Sequence, residues 1–260
     1  MPLDKTRIKR SFEKASDTYD TVAELQRSAG LVLLHSVETA ALEGVLLDLG
    51  CGTGFLSSEI LACSTPETLV VLDIALAMLK TTHRRLLNQS SVRCVCADAE
   101  YLPIAAQTFD SVFSNMALQW CRNLEAVFKD IRRVLKPNGR FVFSTFGSKT
   151  LYELKNAWAS VDDFNHVNHF YSQAEIMQFL EQVGFKDIEL TTTIYKPRYE
   201  TVGLLMQSLK QLGAQQVIDG GRKSMMTKSV LQQMMTAYEV HREGDTIPAT
   251  FEVINVITKV

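Results

Sequence analysis

The stretch that decides the fold of this chain is DLGCGTG at residues 48–54, which lies between an apolar run and a helical pattern. Residues 45–47 have the composition of a buried strand, and Phe55 and Ile60 are spaced to form the apolar side of a helix that begins near Gly54. Three alternate glycines carry no Cβ, so a ligand can approach their main chain closely. The stretch therefore predicts a ligand-binding turn between a strand and a helix.

The spacing of the glycines separates this turn from other nucleotide-binding turns. A dinucleotide fingerprint is G-x-G-x-x-G, and a P-loop ends in Lys-Ser or Lys-Thr. This chain has G-x-G-x-G, with Asp48 two positions before the first glycine and no Lys-Ser or Lys-Thr after it. The form resembles the turn of S-adenosylmethionine-dependent methyltransferases, and the resemblance covers residues 11–196 and the C-terminal strand.

Apolar runs and helical patterns alternate after the turn, as in a parallel sheet covered by helices. Strands are predicted at residues 45–47, 68–72, 92–97, 109–116, 140–145, 185–195 and 251–259, and helices at 75–87, 124–135 and 172–183. The breaker cluster at residues 136–139 is expected to end the second helix, and the third opens with a capping box from Ser172 to Glu175 and closes at Gly184. We predict an α/β, Rossmann-like class I methyltransferase fold with a seven-stranded, mostly parallel sheet and helices on both faces.

Two segments, 147–171 and 198–246, are longer than the ~2–6 residues that usually connect elements in such folds. Each follows the carboxyl end of a strand, where open α/β sheets bind ligands. We expect both to be partly helical insertions that form a lid over the substrate together with the N-terminal helices. The expected organisation is a single domain, divided into N-terminal helices and cofactor-binding core (1–146), lid insertion (147–171), core helix and strand (172–197), lid insertion (198–246) and last strand (247–260).

Composition narrows the class of protein. The 260 residues are 46% hydrophobic with a net charge of −2, which allows one large core and gives no general attraction to nucleic acid. There is no apolar run of about 18 residues and no signal-peptide pattern, so we expect a cytoplasmic protein without a membrane segment. Its five cysteines form no C-x-x-C pair, which favours reduced, buried thiols. His166 and His169 have no neighbouring ligands to complete a metal site, so no metal is expected.

Acids at three successive strand ends predict the cofactor site. Asp48 could orient the glycine turn or accept a hydrogen bond from the ammonium group of S-adenosylmethionine. Asp73 lies 23 positions after Gly50, close to the ~20 expected for an acid that accepts both ribose hydroxyls. Asp98 would accept from the adenine amino group. Further cofactor contacts are predicted at Gly50, Cys51, Gly52, Ile74, Met78, Ala99 and Asn115; in the methyltransferase class an aromatic residue and a glutamine often close the site, at positions that correspond to Tyr19 and Gln26.

The segment after the fourth strand, SNMALQW at residues 114–120, lacks the N-P-P-[FY] motif of enzymes that methylate exocyclic amines of bases. The sequence offers no obvious general base either. An acceptor carboxylate needs none, because it is already ionised at pH 7. Such a reaction requires alignment and desolvation of the two reactants.

Peripheral motifs resemble one particular family. They read YxxxAxLQ at 19–26, NxALQW at 115–120, LxEL at 151–154, AWxxVD at 157–162, HVNxF at 166–170, SLKxxGA at 208–214 and GR at 221–222. Together they are similar to the malonyl-acyl-carrier-protein O-methyltransferases of biotin synthesis, over nearly the whole chain and including the insertions. One departure is an extra glycine within residues 219–223. The resemblance implies methyl esterification of the free carboxyl of a malonyl thioester, which lets fatty-acid synthesis elongate it as an apolar chain end.

The resemblance also implies an acyl carrier protein as a transient partner, and such proteins are acidic. Residues 1–14 carry five basic and two acidic side chains, and residues 196–228 carry six and two, which predicts a basic docking face. A substrate carboxylate in a closed site needs a cation or donors. The candidates are His166, Asn168, Lys210 and Arg222. Two other functions remain open: methylation of another small carboxylate, a quinone or a sterol, and a catalytically silent S-adenosylmethionine-binding module.

Overall fold

The structure is a computed structural model that describes residues 5–212 and 227–260. Its strands are β1 (Val45–Leu49), β2 (Thr68–Asp73), β3 (Val92–Cys96), β4 (Phe109–Asn115), β5 (Leu135–Phe146), β6 (Lys186–Tyr195), β7 (Arg198–Tyr199), β8 (Ile247–Pro248) and β9 (Phe251–Lys259). Seven of them form one sheet in the order β3-β2-β1-β4-β5-β9-β6, in which β9 runs antiparallel to both its neighbours. The predicted seven-stranded, mostly parallel sheet is confirmed.

Ten α-helices surround this sheet in the described residues. They are α1 (Lys5–Ala15), α2 (Tyr19–Val22), α3 (Glu24–His35), α4 (Phe55–Cys63), α5 (Leu76–Arg85), α6 (Leu124–Val134), α7 (Tyr152–Ala159), α8 (Gln173–Val183), α9 (Val202–Gln211) and α10 (Lys228–Tyr238). The capping box of α8 forms as predicted, and Gly184 ends the helix in the left-handed conformation at a φ of 91°.

The sheet buries one apolar cluster on each face. Helices α6 and α8 cover the first cluster, in which Phe141 and Phe143 stack with their ring centroids 4.5 Å apart and Phe128 packs against both. Helices α3, α4 and α5 cover the second cluster. Strands at the centre of the sheet are buried on both faces, which explains their continuous apolar runs.

The two long segments contribute a third apolar cluster. Helices α7, α9 and α10 pack with β7 and β8 around Met234 and Tyr238, and the Tyr238 hydroxyl donates to the carbonyl of Pro248 at 2.9 Å. Glu153 of α7 is fully buried and accepts from the backbone N–H of Thr250, 3.1 Å away, and from its hydroxyl at 2.5 Å. These contacts attach α7 to the chain just before β9.

Two expectations are wrong in detail. The breaker cluster at residues 136–139 ends α6 but does not separate it from the next strand, because β5 already begins at Leu135 and runs through the cluster with a register shift against β4. The cysteines are not all buried: Cys63, Cys94 and Cys96 are exposed. The latter two lie on β3, which is an edge strand with only one neighbour.

No helix among residues 5–212 and 227–260 is long and apolar enough to span a membrane. Within the same residues, no group of three or more His, Cys, Asp or Glu side chains is arranged to hold a metal ion.

Candidate active site

The glycine turn between β1 and α4 brings its backbone against neighbouring elements. Gly50, Gly52 and Gly54 all have positive φ, at 75°, 55° and 80°. A Cβ on Gly50 would lie 2.3 Å from the Cβ of Ala117, whereas a Cβ on Gly52 would meet no described atom within 4 Å. Gly50 is therefore required for packing against the segment after β4, and Gly52 leaves open space beside the turn.

Asp48 and Asp73 are both buried next to this turn. Asp48 accepts a hydrogen bond from the Ser57 hydroxyl at the start of α4, which fixes the turn to the helix. Asp73 accepts from the backbone N–H of Gly52 at 3.0 Å and from that of Ala75 at 2.8 Å. Burial raises the pKa of each carboxyl to about 6, although the hydrogen bonds from these donors act in the opposite direction.

Asp98, the third acid, is paired with a residue of the N-terminal helix. Lys5 of α1 donates to Oδ1 of Asp98 at 2.6 Å and also contacts Glu100 at 2.5 Å. Asp98 additionally accepts from the backbone N–H of Glu100 at 3.0 Å. Because α1 is distant in sequence, no local pattern indicated that a lysine lies at this strand end.

Two connected cavities follow the carboxyl edge of the sheet. The first, which we call the strand-end cavity, measures about 100 Å³ and has Asp73, Ile74, Met78, Asp98 and Ala99 in its wall. The second, the turn cavity, measures about 50 Å³ and is lined by Gln26, Asp48 and Cys51 among others. Both are lined by Tyr19, Gly50, Gly52 and Asn115, so they form one groove. Every residue predicted to contact the cofactor lines this groove.

The N-terminal helices cover the groove. Phe12 of α1 packs edge-on against Trp120 at 5.4 Å between ring centroids and against Tyr19 at 6.5 Å. Thr53 of the glycine turn donates to Oδ1 of Asp20 at 2.6 Å, which ties α2 to the turn. Burial raises the pKa of Tyr19, as do the nearby charges of Asp73 and Asp20, so its phenol stays protonated. The contributions of Phe12 and Asp20 were not recognised from the sequence.

Gln26, which lines the turn cavity, carries a buried acceptor that has no partner among the described residues. The side-chain oxygen Oε1 of Gln26 is inaccessible to solvent and accepts no hydrogen bond within the described part of the chain. Asn115 lies next to Gln26, since its side-chain amide donates to the backbone carbonyl of Gln26 at 2.9 Å while its side-chain oxygen accepts from the Ser144 hydroxyl at 2.7 Å. An unpaired buried acceptor is costly, so this end of the groove is suited to a ligand that carries a donor.

The predicted carboxylate-binding residues are not gathered in this groove. His166 stacks on Trp158 with ring centroids 3.6 Å apart and contacts Asp162 at 2.8 Å, and Asn168 is buried. A separate cavity of about 240 Å³ lies next to the groove, and Asn165 and His169 line it. Neither His166 nor Asn168 lines this cavity or the groove. Lys210 lies near the end of α9 on the exposed surface. Arg222 lies outside the described residues.

Sheet order and the antiparallel last strand are those of class I, S-adenosylmethionine-dependent methyltransferases. Residues 47–143 match the family described as a methyltransferase domain. The chain is 38% identical over 97% of its length to the malonyl-[acyl-carrier protein] O-methyltransferase of Methylovorus sp., of which it covers 88%. The chain therefore belongs to the malonyl-[acyl-carrier protein] O-methyltransferase family, and the resemblance seen in its peripheral motifs is confirmed.

Other comparisons agree with this assignment. The chain is 36% identical over 96% of its length to the biotin biosynthesis bifunctional protein BioHC of Cellvibrio japonicus, of which it covers 49%. Among solved structures, the YcgJ protein of Bacillus subtilis superposes with a TM-score of 0.62 at 17% identity, over 89% of this chain and 97% of the other. At this low identity, the likeness to the YcgJ protein supports the fold alone.

Proposed function

We propose that this protein transfers a methyl group from S-adenosylmethionine to the free carboxylate of a malonyl thioester on acyl carrier protein, as a step of biotin synthesis. The observation that carries the proposal is the likeness to a relative named for this reaction, because it spans 97% of the chain and so includes the insertions around the substrate side. A methyltransferase with an unrelated acceptor would have no reason to share those parts.

The groove suits the amino-acid end of the cofactor. Gln26 and Asp48 line the turn cavity, and the Oε1 of Gln26, which has no partner among the described residues, and the carboxylate of Asp48 would accept from an ammonium group. Arg27 lines the same cavity and carries the positive charge that a carboxylate requires. The zwitterion of S-adenosylmethionine thus finds an acceptor set and a cation at this end.

The strand-end cavity suits the adenosine end. Asp73 can accept from the ribose hydroxyls while it holds the N–H of Gly52. Ile74 and Met78 offer apolar walls for the base, and Asp98 with the backbone of Ala99 offers the polar partners for its edge. Lys5 must share Asp98 with the base, which places α1 in contact with the bound nucleoside.

When bound, S-adenosylmethionine supplies a sulfonium methyl group, which passes to an anionic oxygen while the electron pair of the broken C–S bond stays on sulfur. A carboxylate acceptor loses no proton in this step, so the chain needs no general base. Its residues bind the two reactants, align them and exclude water from them. Phe12, Tyr19 and Trp120 form an aromatic cover that excludes water, and the protonated Tyr19 cannot compete with the acceptor as a nucleophile.

We further propose that acyl carrier protein docks on a basic face formed by α1 and the end of α5. These helices are in contact, and Arg7, Arg10 and Lys14 of α1 are exposed, as is Arg84 of α5. Complementary charge increases the rate at which an acidic partner associates. This face borders the strand-end cavity, whose wall includes Lys5 and Phe12 from the same helix.

A transfer assay with methyl-labelled cofactor tests the substrate. Malonyl-, succinyl- and glutaryl-acyl carrier protein are compared with malonyl-coenzyme A at equal concentration. We expect labelled ester chiefly with malonyl-acyl carrier protein. Equal transfer to unrelated small carboxylates would contradict the proposal, and binding of S-adenosylhomocysteine without transfer to any acceptor would indicate a silent binding module.

Charge reversal tests the docking face. Changing Arg7, Arg10 and Lys14 to Glu should lower kcat/KM for malonyl-acyl carrier protein by about 10-fold or more at low salt, and leave malonyl-pantetheine unaffected. Lys186→Glu is the control, since Lys186 is exposed on β6 at the opposite edge of the sheet. An equal loss with both acceptors would show that α1 acts on the cofactor rather than on the carrier.

A further inference from the structure

A cavity of about 240 Å³ lies beside the cofactor groove, and we call it the side cavity. The segment between β4 and α6 separates the two spaces: Ala117 and Trp120 line the groove, Gln119 and Arg122 line the side cavity, and Cys121 lines both. The two spaces therefore share one wall, and the side cavity lies next to the groove.

Its wall is apolar at depth and polar toward solvent. Leu118 and Phe170 are buried, whereas Asn165 and His169 are exposed. Apolar walls remove water from an acceptor group, and an exposed rim lets the rest of a long thioester leave the protein. The shape thus suits a short acyl group at the end of an extended arm.

Arg122 is the one permanently charged side chain among the described residues that line this cavity. Its backbone N–H donates to Glu100, but its guanidinium has no ion pair or hydrogen bond among residues 5–212 and 227–260. The guanidinium nitrogen Nη2 is inaccessible to solvent and unpartnered. An unpaired, partly buried cation is costly in the free protein and is stabilised when an anion binds.

We infer that Arg122 binds the free carboxylate of the malonyl group and so selects a diacid thioester over a neutral acyl chain. This inference rests on the proposed function, because it names a contact for the same acceptor. A guanidinium can engage both oxygens of a carboxylate with two parallel hydrogen bonds. His166, by contrast, is already held by Trp158 and Asp162.

The experiment measures binding rather than turnover. Full-length protein saturated with S-adenosylhomocysteine is titrated by calorimetry with malonyl-pantetheine and with acetyl-pantetheine, which differ in the carboxylate. Wild type should prefer the malonyl compound. Arg122→Gln should lose about 10- to 100-fold of that preference, and Arg122→Lys should retain part of it, because lysine keeps the charge without the bidentate geometry. The affinity for S-adenosylhomocysteine should be unchanged in both variants.

The outcomes separate this inference from the function on which it rests. A wild type without preference for the malonyl compound overturns both. A wild type that prefers malonyl, with the preference intact in Arg122→Gln, overturns only the role of Arg122. Loss of the preference in His169→Gln but not in Arg122→Gln assigns the carboxylate to the imidazole instead. Joint loss of preference and of S-adenosylhomocysteine affinity in both Arg122 variants shows a role in folding and also overturns the inference.

Discussion

The carboxylate of Asp73 at the end of β2 accepts the backbone N–H of Gly52 in the turn after β1, at 3.0 Å. Its other oxygen accepts from Ala75 at the entry to α5, at 2.8 Å. One side chain therefore joins two successive strand-to-helix connections and lines the strand-end cavity at the same time. Loss of this acid should change the shape of the glycine turn and remove the proposed contact with the ribose.

Asp73→Ala should raise the Kd for S-adenosylhomocysteine by about 10- to 100-fold, because charged hydrogen bonds contribute about 1.5–3 kcal/mol. Asp73→Asn keeps one acceptor oxygen and should lose less. Asp110→Asn is the matched control: Asp110 also accepts a backbone N–H, that of Val45 at 2.8 Å, but it lies at the other end of its strand. Calorimetry that gives equal losses for Asp73→Asn and Asp110→Asn would contradict a ligand contact.

The glycine turn and the strand-end acids could be predicted from sequence because each depends on residues close together in the chain. Contacts of the N-terminal helices could not. Asp20 reaches Thr53 across 33 positions and Lys5 reaches Asp98 across 93, and neither pair leaves a periodic signal.

The irregular segment after α7 shows the same limit for the substrate side. Which of its side chains face the side cavity depends on packing: Trp158 stacks with His166, while His169 turns to the cavity. Histidine at either position looks equivalent in sequence. Arg122 belongs to none of the sequence motifs, and only the placement of its neighbours shows that its Nη2 has no partner among the described residues.

Alanine substitutions at Gly50 and at Gly52 should have different effects on stability and on cofactor binding. Gly50→Ala places a Cβ 2.3 Å from Ala117 at a φ of 75°, so we expect a loss of unfolding free energy of several kcal/mol. The Cβ added by Gly52→Ala meets no described atom within 4 Å, so left-handed strain should lower the free energy of unfolding by only about 1–2 kcal/mol. The same Cβ would enter the groove and should weaken S-adenosylhomocysteine binding.

Gly244→Ala is the control for strain alone, because Gly244 has a φ of 62° and open space around its Cβ position but does not line the groove. Denaturant unfolding and calorimetry on the three variants separate the effects. The expectation for Gly52 is contradicted if Gly52→Ala and Gly244→Ala bind S-adenosylhomocysteine equally well.

The raised pKa values of Asp48 and Asp73, both about 6, predict opposite pH trends for stability and binding. Because these folded pKa values lie above the unfolded value of 3.8, the folded state holds more protons than the unfolded state between pH 3.8 and about 6. The stability these groups contribute is therefore fully present below 3.8 and is lost as pH rises through 6. Cofactor affinity should follow the reverse course, since only the ionised carboxylates accept freely.

Titrations of S-adenosylhomocysteine between pH 5 and 7.5, beside denaturant unfolding of the ligand-free protein, measure both trends. Asp48→Asn removes one titrating group and should flatten both profiles, whereas Asp110→Asn should leave the binding profile unchanged. An affinity that rises as pH falls through 6 would be incompatible with binding by ionised acids.

The hydrogen bond from Thr53 to Asp20 predicts coupling between the turn and α2. Thr53→Val conserves shape but removes the donor, and Asp20→Ala removes the acceptor and the contact with Arg85. If α2 holds Tyr19 over the groove through this bond, each variant should raise the Kd for S-adenosylhomocysteine by about 5- to 10-fold, and the double variant should lose little more.

A double-mutant cycle measured by calorimetry should therefore give a coupling energy of about 0.5–3 kcal/mol for this pair. Thr81→Val is the control for the loss of a threonine hydroxyl, because the Thr81 hydroxyl bonds, within the described part of the chain, only to groups of α5, at Ala77 and Arg84. Strict additivity of the Thr53 and Asp20 losses would mean that each residue acts alone. The position of Tyr19 would then depend on its packing against Phe12, at 6.5 Å between ring centroids, and not on the bond between α2 and the glycine turn.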